Sequence, residues 1–374
     1  MPFSDFVGNP ETIHRLREML ARKRFPHAVI LSGAQGSGKY TLALMLARAI
    51  NCLEQPITGG TNSDGLPDFC GRCSNCTRIA QSEDLDSRFA EAVEARENLR
   101  DADKKETRLF VQTHPDVLII PPDPPQLMIK VDQVRHVIET IYYRPGEARE
   151  RVYIFTSSAF MKEAANSLLK VLEEPPEFAS IFLLTENPGE LLPTIRSRSM
   201  TFNLGAVAVT EMESRLAQLR PDWNARQRAL VARLSEGAIG RASSFDLESY
   251  VAARSHALIM LSSALGGNDN NAHTELFKVT ESYRSGAEGR AKIDSLLRTF
   301  YSLLEDLMFL QSGAAQLVRN TDILGELKKM SESADFAWVQ LAAEGLGEVE
   351  RGLRRNLLRS LSLDAFATAL ERVS

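Results

Sequence analysis

The sequence lacks a long uninterrupted run of apolar residues. Of its 374 residues, 44% are hydrophobic and 25% are charged, and no apolar run approaches the roughly 18 residues that a membrane-spanning helix needs. The amino-terminal segment also lacks the leading basic segment, the apolar stretch and the small-residue cleavage site of a secretory signal. The composition therefore predicts a globular protein that does not cross a membrane, and we expect it in the cytoplasm.

The sequence also lacks an excess of basic residues. Lysine and arginine total 44 against 49 aspartate and glutamate residues, which gives a formal net charge of −5. Non-specific DNA binding depends on basic residues that neutralise phosphates, so this balance gives the chain as a whole no attraction to nucleic acid. Any contact with DNA would be local or shared with partners.

Cysteine is scarce, and its few residues are clustered. The four cysteines are Cys52, Cys70, Cys73 and Cys76, a set that can supply the four thiolates of a closed tetrahedral zinc site. Disulfides are one alternative, disfavoured by the expected location and the close spacing. An iron–sulfur cluster is another, but no electron-transfer motif accompanies the cysteines. We predict a structural zinc site with no open position for catalysis.

Strand-like and helix-like patterns alternate in the first half of the chain. Short apolar runs occur at 27–32, 116–121, 151–155 and 180–184. Near-continuous apolar strands separated by helices predict an α/β fold with a parallel sheet covered by helices on both faces. The pattern Ala-x-x-x-Leu-Leu-x-x-Leu in the KEAANSLLKVLEE segment predicts one such helix, which a Pro-Pro pair ends.

The strand patterns end near residue 205, and the rest of the chain reads as helices. We predict an α/β P-loop-type domain at 1–204, a small helical lid at 205–246 and an all-α domain at 247–374. The first domain would contain the zinc module, at about 52–76, and a highly charged insertion, at about 80–112. The insertion has few large apolar residues and predicts an exposed helix or a partly disordered segment.

A glycine-rich loop follows the first predicted strand. Gly33, Gly36, Gly38 and Lys39 lie between that strand and a helical pattern. In this context backbone N–H groups and a helix N-terminus point toward phosphates, and the lysine reaches the outer ones. The loop therefore predicts a P-loop fold.

Two groups that ATP hydrolysis requires are missing. The position after the loop lysine should carry a hydroxyl that holds magnesium, but it is Tyr40, and Thr41 comes one residue too late. The strand at 151–155 should end in acids but runs into Thr156 and Ser157. We predict that ATP or ADP binding is weak or absent and that the chain does not hydrolyse ATP. Two roles stay open for Lys39: it binds a phosphate without metal chemistry, or it only completes the turn.

Several motifs in order resemble one family. FSDFVGNPETIHRLREML, the glycine loop, CGRCSNC, HPDVLIIPP, IKVDQVRHVIE, NSLLKVLEEPPE and LLPTIRSRS together resemble the bacterial clamp loader AAA+ proteins of DNA polymerase III. In that family, gamma and tau subunits keep the hydroxyl after the loop lysine and an Asp-Glu pair after the later strand. Because Tyr40, Thr156 and Ser157 stand at those positions, the chain looks like the delta-prime type, which does not hydrolyse ATP.

The resemblance also implies a role for one arginine. Arg198 lies in Ser197-Arg198-Ser199, which corresponds to the family's Ser-Arg-Cys motif and implies an arginine finger inserted in trans into a neighbouring ATP site. Arg196 is a less favoured alternative. A sensing role for Arg241 is not expected, because its Gly-x-x-Arg register is shifted.

The partners implied are gamma or tau ATPase subunits and a delta subunit in a hetero-oligomeric ring, which loads a sliding clamp on primed DNA. The last domain would be the oligomerisation, or collar, domain of that ring. Two other readings stay open. One is a gamma/tau-type ATPase with unusual active-site residues. The other is a zinc-dependent nucleic-acid-binding module with a vestigial P-loop fold, which the acidic balance disfavours.

Overall fold

The chain forms two compact units in the computed structural model. One comprises residues 1–215 and 237–241, and the other comprises 216–236 and 242–374. The segment 266–274, GGNDNNAHT, is polar and contains glycine, a composition that predicts a loop; it lies outside the described residues. The structure describes residues 2–54, 65–100, 103–104, 107–265, 279–281, 283, 287–355 and 357–371.

The first unit is built on a six-stranded sheet with the order β2-β3-β4-β5-β1-β6. The strands are Ala28–Gly33 (β1), Val111–His114 (β2), Val117–Ile120 (β3), Arg151–Phe155 (β4), Ala179–Thr185 (β5) and Met200–Leu204 (β6). Neighbours pair in parallel except β2 and β3, which are antiparallel. The predicted parallel sheet is confirmed, and β1, β3, β4 and β5 correspond to the four predicted runs. The short edge strand β2 was not predicted.

Both faces of this sheet are buried, as a parallel sheet requires. In β1, Val29 and Leu31 pack into one hydrophobic cluster, whereas Ile30 packs into the other. This alternation follows from the two-residue period of a strand. In the part of the chain that the structure describes, the α-helices with defined bounds are Pro10–Ala21 (α1), Lys39–Asn51 (α2), Ser74–Ala80 (α3), Leu85–Glu97 (α4), Val131–Ile141 (α5), Lys162–Glu173 (α6), Pro193–Arg196 (α7), Val209–Leu219 (α8), Ala225–Leu234 (α9), Ile239–Ser243 (α10), Leu247–Ala264 (α11), Ala287–Gln311 (α12), Leu324–Ser333 (α13), Phe336–Arg354 (α14) and Arg359–Glu371 (α15).

Two of these helices can be compared with features predicted from the sequence. Helix α6 buries Ala164, Leu168 and Leu172, so the predicted stripe packs against the sheet. Helix α4, inside the charged segment, has no buried residue. Its side chains therefore add little to the hydrophobic core.

The second unit is helical, as predicted for the carboxyl-terminal region. Its hydrophobic cluster includes residues of α11, α12, α13, α14 and α15. The second unit also contains a buried polar network. Asp306 accepts hydrogen bonds from the backbone nitrogens of Arg319, at 2.7 Å, and Asn320, at 2.9 Å. Nearby, Arg254 makes two hydrogen bonds to Asp322, at 2.8 and 2.6 Å. Within the described residues, no helix is both long and apolar enough to cross a bilayer.

Candidate functional site

The glycine loop joins β1 to α2, as its sequence predicts. Gly36 and Gly38 have φ angles of +80° and +89°, in the left-handed region that favours glycine. A Cβ on Gly38 would lie 2.9 Å from the ring of Phe6. The loop therefore needs glycine here both for its backbone conformation and for close packing.

One face of the loop is covered by another segment of the same compact unit. The backbone nitrogen of Gly240 donates to the carbonyl oxygen of Gly36 at 2.8 Å. A Cβ on Gly36 would lie 2.7 Å from the backbone nitrogen of Arg241. The contact of the Gly240–Arg241 backbone with the loop could not be read from the local sequence, because the two segments are far apart in the chain.

Lys39 is engaged by the loop itself. Its Nζ donates to the carbonyl oxygens of Gly33 and Ala34, at 2.7 and 2.8 Å. Burial lowers the pKa of Lys39 below its usual value, while the carboxylate of Glu186 acts in the opposite direction. To bind a phosphate, the ammonium would exchange these carbonyl oxygens for phosphate oxygens.

Tyr40 connects the loop helix to the charged segment. Its hydroxyl donates to the carbonyl oxygen of Ser82 at 2.6 Å. Burial, followed by the nearby Glu83 carboxylate, raises the pKa of Tyr40 well above its usual value, so the phenol keeps its proton. The buried Arg48, from the same helix, forms an ion pair with Glu83. The hydroxyl that follows the loop lysine is therefore committed to a structural hydrogen bond.

Removal of the Tyr40 hydroxyl tests this structural role. We expect Tyr40→Phe to lower the free energy of unfolding by about 1 kcal/mol, because the Ser82 carbonyl loses its donor in a partly buried position. The measurement is urea unfolding of the full chain, with Tyr143→Phe as the control because the Tyr143 side chain is 64% exposed. Equal unfolding midpoints for the two variants would contradict this role.

The end of β4 carries hydroxyls rather than carboxylates, as its sequence states. Ser157 Oγ accepts a hydrogen bond from the backbone nitrogen of Ala159 at 3.1 Å. Ser158 Oγ donates to the carboxylate of Glu190 at 2.5 Å. Glu190 comes from the loop after β5 and is an acidic neighbour that sequence reasoning missed. This single carboxylate, hydrogen-bonded to the Ser158 hydroxyl, does not replace an acid pair at the end of β4.

Thr185 and Asn187 cap the loop after β5. Thr185 Oγ1 donates to the carbonyl oxygen of Asn187 at 2.9 Å and accepts from its backbone nitrogen at 3.1 Å. The side chain of Asn187 in turn accepts from the backbone nitrogen of Gly189 at 2.8 Å. These hydrogen bonds therefore engage the Thr185 hydroxyl and the Asn187 side-chain oxygen within the loop.

Arg198 follows α7 and is partly exposed. Its Nη1 donates to the carbonyl oxygen of Thr194 at 3.0 Å. Its Nη2 lies 2.8 Å from Oε1 of Glu173, the last residue of α6. The neighbouring Arg196 side chain is exposed. The structure therefore places Arg198 on a surface next to an acid that the sequence did not pair with it.

The four cysteines converge. The Sγ atoms of Cys52, Cys70, Cys73 and Cys76 all lie within 4.8 Å of one another, and all four are free thiols. A tetrahedral zinc ion with Zn–S distances of about 2.3 Å places its sulfurs about 3.8 Å apart. The donor set and its compactness therefore fit a four-coordinate metal ion, and the predicted clustering of the thiols is confirmed.

Backbone hydrogen bonds and burial act in opposite directions on these thiols. Burial raises the pKa of Cys52 and of Cys76. Burial also opposes ionisation of Cys73, but hydrogen bonds from the backbone nitrogens of Cys76 and Leu53 bring its pKa down to about 7. The Cys73 thiol therefore ionises and binds a cation more readily than those of Cys52 and Cys76.

The cysteine cluster is tied to the glycine-loop helix and to the sheet. Cys52 directly follows α2, and Asn75 Nδ2 donates to the carbonyl oxygen of Asn51 at 3.0 Å. Asn75 Oδ1 lies 3.0 Å from Nε2 of His114, at the end of β2. A metal ion held here would therefore stabilise the junction of α2, α3 and β2.

Comparison with known proteins identifies the family. A family model described as "DNA polymerase III, delta subunit" matches residues 8–208, which is more than half of the chain and includes the sheet, the glycine loop, the cysteines and Arg198. The chain belongs to this family. The resemblance to DNA polymerase III clamp loader proteins is thus confirmed at the level of the family.

Individual relatives are similar over part of their length. The chain is 29% identical to the DNA polymerase III subunit tau of Escherichia coli (strain K12) over 242 residues, covering 63% of this chain and 31% of the relative. It is 30% identical to the DNA polymerase III subunit delta' of Bacillus subtilis (strain 168) over 210 residues, covering 56% and 51%. The chain thus spans about a third to a half of the length of these curated relatives.

The chain is also similar to a solved structure, that of a DNA polymerase III gamma subunit-related protein from Thermotoga maritima. The TM-score is 0.42 and the sequence identity is 16%, and the alignment covers 96% of this chain and 99% of that one.

Proposed function

We propose that the protein is a delta-prime-type subunit of the DNA polymerase III clamp loader that does not hydrolyse ATP. One observation carries this proposal: the hydroxyl that follows the loop lysine belongs to Tyr40 and is hydrogen-bonded to Ser82 O. It therefore lies in a structural contact rather than beside a magnesium ion. Thr156 and Ser157, which stand where gamma and tau subunits carry acids, support the same conclusion.

Arg198 is the residue proposed to act on a partner. A guanidinium is always charged, and its planar fork matches the oxygens of a phosphate. An arginine placed at a neighbouring subunit's ATP site stabilises the charge that builds on the transferred group. The partly exposed position of Arg198 on the surface after α7 is compatible with insertion in trans.

The proposed assembly is a hetero-oligomeric ring of this chain with gamma or tau ATPases and a delta subunit, which loads a sliding clamp on primed DNA. We propose that residues 247–374 pack with partner subunits as a collar. Residues 1–204 would present Arg198, and residues 205–246 would form a lid. The net charge of −5 favours DNA contacts that are shared with partners.

The cysteine cluster is proposed to hold one structural zinc ion. Four thiolates would fill its coordination sphere and leave no position for substrate. Its role would be to stabilise the junction of α2 with α3 and β2, next to the glycine loop.

The second candidate is a gamma/tau-type ATPase with unusual active-site residues. The sequence similarity to the tau subunit and the complete set of loop glycines favour it. In this case Lys39 would leave its carbonyl partners to bind a nucleotide phosphate, and Glu190 would take part in holding magnesium.

The purified chain alone distinguishes the two candidates. We expect no magnesium-dependent ATP turnover above that of Lys39→Ala, because neither the metal-holding hydroxyl nor the strand-end acids are available. We expect equilibrium dialysis with ATP and with ADP to give weak binding or none. Turnover that requires magnesium and disappears in Lys39→Ala would establish the gamma/tau-type function instead.

A further inference from the structure

Three contacts hold the guanidinium of Arg198 in one orientation. Nη1 donates to the carbonyl oxygen of Thr194 at 3.0 Å and approaches Oγ of Ser197 at 3.4 Å. Nη2 lies 2.8 Å from Oε1 of Glu173. Thr194 and Ser197 are local to Arg198, whereas Glu173 comes from the end of α6, so only the carboxylate ties the side chain to a separate element of the fold.

The contacts leave part of the guanidinium available. An arginine carries five N–H donors, and these contacts use at most three of them. The Arg198 side chain keeps 35% of its surface exposed, and that of Glu173 keeps 52%. Arg198 can therefore offer two donors to a phosphate without giving up its contact with Glu173.

We infer that Glu173 is a positioning residue for Arg198, an inference that rests on the proposed trans-acting role of Arg198. Glu173 restricts the rotation of a long side chain, so that the guanidinium is already oriented when a neighbouring subunit presents its nucleotide. A preoriented donor needs little reorganisation at the moment of reaction, which is the property that makes electrostatic stabilisation of a transition state effective.

A role in folding is not expected to be the main effect of Glu173. The ion pair is substantially exposed on both sides, and such surface pairs contribute little to stability because water screens them and ordering long side chains has an entropic cost. Variants at this position should therefore fold and assemble. The next residue, Glu174, is also exposed at the end of the same helix and serves as a matched control.

The test is a double-mutant cycle in the clamp loader reconstituted with its partner subunits from the same organism. ATP turnover is measured with the wild-type chain, Glu173→Ala, Glu173→Gln, Glu174→Ala, Arg198→Ala and the double variant Glu173→Ala with Arg198→Ala. The quantity compared is the Arg198-dependent turnover, defined as the rate that Arg198→Ala removes.

We expect Glu173→Ala to lower the Arg198-dependent kcat about threefold, the size that a surface pair of this kind supports, with no change in KM for ATP. Glu173→Gln keeps a hydrogen-bond acceptor and should restore most of this rate, and Glu174→Ala should match the wild type. In the Arg198→Ala background, Glu173→Ala should have no further effect, because Glu173 acts through Arg198.

The contrary outcomes separate the inference from the proposed function. If Arg198→Ala lowers turnover but Glu173→Ala does not, the positioning role is wrong and the trans-acting role stands. If Glu173→Ala raises turnover, or still lowers it in the Arg198→Ala background, Glu173 does not position the arginine. If Arg198→Ala itself changes nothing, the proposed function fails and the inference falls with it.

Discussion

Arg198→Ala is expected to abolish activation of the neighbouring ATP site while leaving the protein folded. An arginine finger contributes about 10³ to 10⁵ in rate at its own site, so turnover at that site should fall to background. Other sites in the ring continue to hydrolyse ATP and dilute the loss in the total rate. Single-turnover measurements with the reconstituted clamp loader resolve the affected site as a missing fast phase.

Arg196→Ala is the matched control for this experiment. Arg196 lies two residues away and has an exposed side chain, so its removal changes the same charge on nearly the same surface. We expect the fast phase to persist in Arg196→Ala. Loss of that phase in Arg196→Ala and its retention in Arg198→Ala would show that Arg196 is the finger.

Loss of the metal site is expected to destabilise the first compact unit strongly. Structural zinc sites have apparent binding free energies of about 10 to 16 kcal/mol in small peptides, and binding of this kind is coupled to folding. Removing one of four ligands by Cys76→Ser should forfeit about a quarter of that, or about 3 kcal/mol. Cys76 is fully buried, and Asn75 beside it contacts Asn51, so the loss should extend to α2.

The measurement combines elemental analysis with thermal unfolding of the full chain. We expect about one zinc ion per wild-type chain, a lowered zinc content and Tm in Cys76→Ser, and no change in Ser74→Ala, whose exposed side chain lies within the same cysteine run. Iron in place of zinc would show that the cluster holds another cofactor. If the wild-type chain contains no metal and Cys76→Ser has the same Tm as the wild type, the cysteines have no role in metal binding.

Features that depend on local spacing were predictable from the sequence. The glycine loop between β1 and α2 was predictable because a strand pattern, closely spaced glycines and a helix pattern follow one another directly in the sequence. The convergence of Cys70, Cys73 and Cys76 follows from their Cys-x-x-Cys-x-x-Cys spacing, and the upstream Cys52 supplies the fourth thiol that the metal-ligand pattern requires. The parallel sheet follows from apolar runs separated by helices, since both faces must be buried.

Contacts between distant segments could not be predicted in the same way. Tyr40 bonds to Ser82, 42 residues away, and Ser158 bonds to Glu190, 32 residues away. Neither pair has a sequence signature, because tertiary packing alone brings the partners together. Strand β2 was missed for a related reason: the segment VQTH is short and has polar residues at its centre, so it becomes a strand only through pairing with β3.

Tyr40 shows how a glycine loop can be intact while the hydroxyl after its lysine is used for a structural contact. Gly36 and Gly38 are required by their left-handed backbone conformation, and Gly38 also by its packing against Phe6, whether or not a nucleotide binds. The position after Lys39 is free of that constraint, and here it carries a side chain that links the loop helix to the charged segment. The loop can therefore persist as a structural element after its metal-binding hydroxyl is lost.

The most direct test of the proposed function compares ATP turnover by three samples at equal concentrations: the purified chain, its partner subunits without it, and the complete assembly. If this chain acts in trans, the chain alone gives only background turnover, and the assembly exceeds the sum of the two separate samples. If the chain alone hydrolyses ATP and the assembly equals that sum, the protein is an ATPase in its own right and the trans-acting account is wrong.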